Sequence, residues 1–150
     1  LHSRRFCEQL EYIVLVSTLD KSLQAAVTQI PECVAAGYVD MATGMLLAVN
    51  TVDSHPQEVL DMVSAATADL FQGSNVVAIE NMFKRSRGIK NDNAHYFQEI
   101  VVFSDNLLHM FMRCKRNVEH VVVFITRKSA NVGMVIAKSR MVLPSIEGAL

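Results

Sequence analysis

A chain of 150 residues, 51% hydrophobic and 19% charged, is long enough to bury one core without disulfides or metal, and its mean hydropathy of +0.24 is apolar for a soluble domain. A formal net charge of -1 excludes the electrostatic footprint of general nucleic-acid binding, and the longest apolar runs, Tyr12 to Val16 and Val121 to Ile125 among them, fall far short of the ~20 residues that cross a bilayer. Three widely spaced cysteines, Cys7, Cys33 and Cys114, show neither a disulfide framework nor zinc spacing, so a reducing cytoplasm is the simplest setting.

Residues 1–17 read as an N-terminal extension, arginines followed by a short apolar run with no convincing small-residue cleavage site. Phe6, Leu10, Ile13 and Val14 fit a helical face, whereas Tyr12 to Val16 fits a strand equally well, so the segment stays open. A single domain, 18–150, begins with an amphipathic helix. Leu19, Leu23, Ala26, Val27 and Ile30 recur at helical spacing from the Thr18–Asp20 region to the stop at Pro31. Cys33 to Thr51 is a tight β-hairpin around Asp40-Met41-Ala42-Thr43-Gly44, in which Asp40 accepts backbone hydrogen bonds of the turn and Gly44 takes positive φ.

Ser54 as N-cap, with Pro56 and Gln57 behind it, starts the next helix. Its apolar stripe is Val59, Met62, Val63, Ala66 and Leu70, extending to Val77. Gly73 and Ser74 interrupt it, and one kinked helix or two consecutive ones both fit; a single long helix from Pro56 to Arg87 is the preferred reading. Lys84 to Asn93 is a polar exit loop with Gly88 as the stop. Strands Tyr96 to Ser104 and Leu107 to Cys114 follow, joined by Asp105-Asn106. Val121 to Thr126 is apolar on both faces, which requires a central strand covered by helices above and below. The last helix takes Ser129 as N-cap and runs through Val132, Val135, Ile136 and Val142 until Pro144 ends or kinks it. The order is α-β-β-α-β-β-β-α.

No phosphate loop, G-x-G-x-x-G or G-x-S-x-G motif occurs. The best polar constellation is His109, Cys114 and His120. Strand alternation sets His109 and Cys114 on opposite faces, against a shared metal or a Cys-His nucleophile pair, so they read as a sheet or interface histidine and a small buried hydrophobe. Lys84, Arg85, Arg87 and Lys90 form a basic cluster that complements a helix C-terminus; the sharper reading is a docking patch for an acidic partner. Most of the eight methionines read as core filler, and Phe83 suits interface or core.

This order, with GYVDMATGMLLAV in the first hairpin and SANVGMVIAKSR opening the last helix, resembles the roadblock family, related to dynein light chains, over roughly Leu19 to Leu143. Asp40 and Gly44 look like the family's turn aspartate and glycine, and Asn131 and Gly133 like its asparagine-x-glycine at the final helix. The resemblance implies an α+β sandwich with a profilin-like or longin-like five-stranded antiparallel sheet, the long helix on one face and the terminal helices on the other. It also implies a homodimer in which the third strand and the long helix meet their counterparts across a two-fold axis. The implied interface is Val59, Met62, Val63, Ala66, Leu70, Gly73, Val77, Phe97, Glu99, Val101 and Phe103. Composition agrees, since an edge strand this apolar aggregates unless paired.

The function so implied is a non-enzymatic homodimeric adaptor or scaffold without cofactor or metal, with a small Ras-like GTPase as the suggested partner. The alternative is a small-ligand sensory domain with a PAS-like or GAF-like sheet. It expects a pocket lined by His109 and Phe111, where the adaptor expects a filled core and a large two-fold interface. An enzyme using His109 or Cys114 is the third reading.

Overall fold

Strand-length runs of alternating or wholly apolar residues, punctuated by turn chemistry, build one antiparallel sheet. The computed structural model describes residues 2–53, 57–89 and 95–150. In chain order the elements are α1 (His2–Gln29), β1 (Cys33–Asp40), β2 (Met45–Thr51), α2 (Gln57–Gln72), α3 (Ser74–Ser86), β3 (Glu99–Phe103), β4 (Leu107–Arg113), β5 (His120–Arg127) and α4 (Val132–Glu147). The sheet order is β2-β1-β5-β4-β3. Every neighbouring pair is antiparallel, and β5 lies in the middle, where its two-sided apolarity is needed.

The pleat sorts β5 into two layers. Val122 and Phe124 join Tyr38, Met110 and Met112 under α1 and α4, whose Leu19, Leu23, Ala26, Val135, Leu143 and Ile146 close that core. Val121 and Val123 face the other way and join Val39, Met41 and Phe111 beneath Phe71 of α2. Each large apolar side chain so buried contributes roughly 1.5–3 kcal/mol, so the first layer carries most of the hydrophobic stabilisation. The α2 layer is smaller for a visible reason. That helix turns Ser64, Thr67 and Phe71 inward, and the two hydroxyls bond back to the carbonyls of Leu60 and Val63 at 3.1 and 2.8 Å.

Asp40 stabilises the β1–β2 turn through its own side chain. Its Oδ1 accepts from the Ala42 N–H at 3.0 Å and its Oδ2 from the Thr43 hydroxyl at 3.1 Å, and Gly44 takes φ 71°. Gly88 ends α3 in the same left-handed region, φ 68°.

Several expectations are corrected. The 17/18 division falls inside α1, which is one helix from His2 onward. The helix after the hairpin is not continuous: Gly73 has ψ 153° and separates α2 from α3, and a Cβ there would lie 2.7 Å from the Asp69 carbonyl oxygen. β3 is shorter than Tyr96 to Ser104 and leaves Phe97 outside it. Asn131, not Ser129, caps α4, its Oδ1 accepting from the Met134 N–H at 3.0 Å; the Ser129 hydroxyl donates instead to the Glu32 carboxylate. Pro144 does not end α4, because Leu143 and Ile146 are buried and the Glu147 carboxylate accepts from the Lys115 N–H, holding the last turn. Of the methionines only Met41, Met110 and Met112 are buried; Met45, Met62, Met82, Met134 and Met141 are exposed. The expected Ser54 cap and Pro56 lie outside the described residues.

Candidate functional site

The inward turn of Ser64 and Thr67 has a direct consequence on the other side of α2. Val59, Met62, Val63, Ala66, Leu70 and Val77, the stripe read from the periodicity, are all exposed; Met62, at 73%, points to solvent, while Val59 and Val63 flank the cleft between α2 and the sheet. Gly73 is half-buried at the break, and Ile79, Met82 and Phe83 continue the exposed apolar surface along α3. An amphipathic helix ordinarily lays its apolar stripe on its own core. Here much of the stripe is exposed instead, an apolar surface outside the core.

At one edge of the sheet runs β3, whose Ile100 packs against the cluster beneath Phe71 of α2. Backbone bonds from Arg113 N–H to the Gln98 carbonyl and from Ser104 N–H to the Leu107 carbonyl set the phase of its ladder with β4. By antiparallel alternation the N–H and C=O groups of Glu99, Val101 and Phe103 therefore point away from the sheet, unpaired. Their side chains do something else. Val101 packs into the α1–α4 core, and Glu99 makes a bidentate pair with Arg140 of α4, Oε1 to Nε at 3.0 Å and Oε2 to Nη2 at 2.7 Å. The Arg140 bond holds the Glu99 carboxyl below its usual range. Glu99 and Val101 thus offer backbone, not side chain, at the edge, and the α2 side of the strand shows Ile100 and Val102 instead. Phe103 is 52% exposed. Phe97 is half-buried, edge-on to Tyr96.

A buried polar cluster holds α3 against this edge. Glu80 is 3% exposed, accepts from the Tyr96 N–H at 3.2 Å and stands 3.5 Å from His95 Nδ1, whose Nε2 lies 3.1 Å from Glu119. Arg113, equally buried, donates from Nε to the Phe97 carbonyl at 3.0 Å and lays its guanidinium 5.1 Å from the centre of the Phe71 ring. Burial lowers the Arg113 pKa, against the pull of Glu80 and Glu119. Charges this deep persist only when paired and hydrogen-bonded. Phe83 stacks on Tyr96 at 4.9 Å, and Arg87 lies over the same ring. None of Glu80, His95, Arg113 or Glu119 was singled out from sequence. Strand alternation carried the signal, because Arg113 shares an inward face with Phe111 and needs a carboxylate.

Lys84 and Arg85 occupy the last turn of α3 and Arg87 its C-cap, at the macrodipole's negative end. Lys90 lies outside the described residues.

The other polar constellation divides. His109 faces the α2 side and stacks on Phe111 at 6.3 Å, and burial lowers its pKa. Cys114 and His120 meet instead through Tyr38, whose hydroxyl is 2.7 Å from His120 Nδ1 and 3.7 Å from the Cys114 sulfur. Burial pushes the Cys114 thiol up to about 12 and the Tyr38 phenol well above its ordinary range. A thiol held protonated beside a phenol is no nucleophile. Among the described residues no three His, Cys, Asp or Glu side chains are grouped to hold a metal ion. An apolar cleft of about 220 Å³ opens between α2 and the sheet, lined among others by Val39, Leu46, Val49, Val63, Val123 and Ile125, and by neither His109 nor Phe111.

No family model matches the sequence, and no curated protein does. Among solved structures, the fold is similar to the roadblock/LC7 domain from Streptomyces avermitilis, with TM-score 0.59 and 16% identity over 86% of this chain and 94% of that one. It is also similar to the gliding protein MglB from Thermus thermophilus, with TM-score 0.64 and 15% identity over 90% of both chains. MglC from Myxococcus xanthus aligns at TM-score 0.52 and 14% identity over 89% of this chain and 99% of that one. At such identities the likeness is one of fold: the chain has the roadblock architecture, a five-stranded antiparallel sheet between two helical layers. No helix among the described residues is long and apolar enough to cross a membrane.

Proposed function

We propose that this protein is a non-enzymatic adaptor of the roadblock type that works as a homodimer. The observation that carries the reading is the exposed apolar surface of α2, with Met62 and Leu70, together with the unpaired edge of β3, whose Ile100 faces the α2 layer. A second copy supplies both missing halves at once. Its β3 pairs the free backbone groups of Glu99, Val101 and Phe103, and its α2–α3 stripe covers Met62, Leu70 and Val77. A core so formed is apolar, as lasting homodimer interfaces are.

The partner is a small Ras-like GTPase, as the resemblance of the two motifs suggests. Dimerisation presents Lys84, Arg85 and Arg87 twice, a basic surface suited to acidic groups on that partner. One observation favours the sensory alternative, the apolar cleft under α2. At about 220 Å³ it falls short of the roughly 300 Å³ at which drug-sized ligand pockets begin, so the adaptor reading is preferred.

Leu70→Lys combined with Val102→Lys tests the dimer. The parent should sediment as a dimer or larger particle at micromolar concentration, and the variant as a monomer with unchanged far-UV circular dichroism. An unchanged mass moves the interface elsewhere. For the partner, the immobilised chain is offered a small Ras-like GTPase loaded with GDP or with a non-hydrolysable GTP analogue. Retention in neither state removes the GTPase and leaves the scaffold.

A further inference from the structure

Among the described side chains of α1, Leu19 is the first to enter the core, and the helix runs on beyond it as an arm. From Arg4 to Leu15 every residue is exposed, including Phe6 at 63% and Leu10, Tyr12, Ile13, Val14 and Leu15. The packed half of α1 already nucleates the arm, and what the arm lacks is cover for Phe6, Leu10, Tyr12, Ile13 and Val14.

Its pattern says what supplies that cover. At 100° per residue Phe6, Cys7, Leu10, Ile13 and Val14 fall on one stripe, and the 6-10-13 spacing of four then three is that of a coiled-coil seam. The stripe is symmetric about Leu10, with two apolar residues three and four positions away on each side. It therefore superposes on itself whether a second arm runs parallel or antiparallel, Leu10 meeting Leu10. Charge points the same way. Arg4 and Arg5 are cancelled by Glu8 and Glu11, so two arms do not repel, and Arg4, Arg5 and Glu8 share the back of the helix with Tyr12 and Leu15. A lipid-binding helix would carry an excess of Lys and Arg on its polar face, which this arm lacks.

We propose that the α1 arm is a second self-association site, pairing with the arm of another copy of this chain through Phe6, Cys7, Leu10, Ile13 and Val14. It goes beyond the α2–β3 dimer and does not depend on it, since the arm extends from the layer on the opposite side of the sheet. A chain with two different two-fold contacts builds a closed dimer of dimers or an open filament.

The full chain carrying Leu10→Asp and Ile13→Asp should have half the parent's mass, or less, by sedimentation velocity, with its circular dichroism otherwise retained. Leu10→Cys in a Cys7→Ser background should give a covalent two-chain species on mild oxidation, and should still do so when Leu70→Lys and Val102→Lys are added. An unchanged mass for the aspartate variant, or no covalent pair from Leu10→Cys, overturns the proposal. So does an arm that binds neutral or anionic vesicles while the chain fails to self-associate. The lysine pair alone reports on the α2–β3 dimer, so failure of one contact is distinguishable from failure of the other.

Discussion

The two faces of the sheet are covered by helices of opposite habit. On the α1–α4 face the apolar side chains point inward, from Leu19 and Leu23 to Val135 and Ile146, and the core is closed by the chain itself. On the α2–α3 face Ser64 and Thr67 point inward, Met62 and Leu70 point outward, and much of the adhesion is polar, through Glu80, His95, Arg113 and Glu119. The first face is finished within one chain. The second leaves apolar side chains and the backbone edge of β3 exposed, and in the proposed dimer a second copy covers both.

The largest effect that separates the faces is cavity formation. Phe124→Ala, in the finished core, should cost about 3–5 kcal/mol in chemical denaturation, whereas Met62→Ala should change the stability of a dissociated monomer by less than about 0.5 kcal/mol. Equal losses for the two would erase the contrast between the faces. Glu80→Ala should come next, at about 1–3 kcal/mol, because it leaves the Tyr96 N–H and its side of His95 without the buried acceptor. Proteolysis of that variant should cut first near α3, while α1 and α4 stay protected; uniform cutting would mean that α3 is not held by this cluster.

The smallest effect is a pH dependence on the α2 side. Burial lowers the His109 pKa from its ordinary 6.5, so the folded protein holds the ring neutral more strongly than the unfolded chain does. The unfolded state therefore binds more protons as pH falls through about 6.5, and the stabilisation, present above that value, is lost below it. Thermal unfolding of the parent should weaken with acidification more steeply than that of His109→Gln. Parallel curves would mean that the ring is not desolvated.

Elements whose chemistry is local were legible. Asp40 and Gly44 carry their own turn, and the two-sided apolarity of Val121 to Thr126 placed β5 centrally. What failed depended on distant partners or on direction. Ser129 and Asn131 offer the same capping chemistry, and Glu32, far away in sequence, claims the serine. Periodicity picks out the apolar residues of α2 but does not say which of them face sheet or solvent, nor that Val77 lies on a separate helix. The β3 residues expected at an interface share a single parity, yet their backbone and side chains serve opposite ends, since Glu99 and Val101 point their side chains towards α4 and its core. The Glu80–His95–Glu119 cluster joins residues from three separate segments and has no local signature.

Amide hydrogen exchange at Val101 and Phe103 tests the two-fold pairing most directly. Both N–H groups face away from β4, so in an isolated protomer they exchange freely, and in the two-fold pair they are bonded to a second β3. Strong protection of these two amides is expected at high protein concentration, lost on dilution and lost in Leu70→Lys with Val102→Lys. Rapid exchange at every concentration, with Leu108 and Met110 of β4 fully protected, would contradict the pairing.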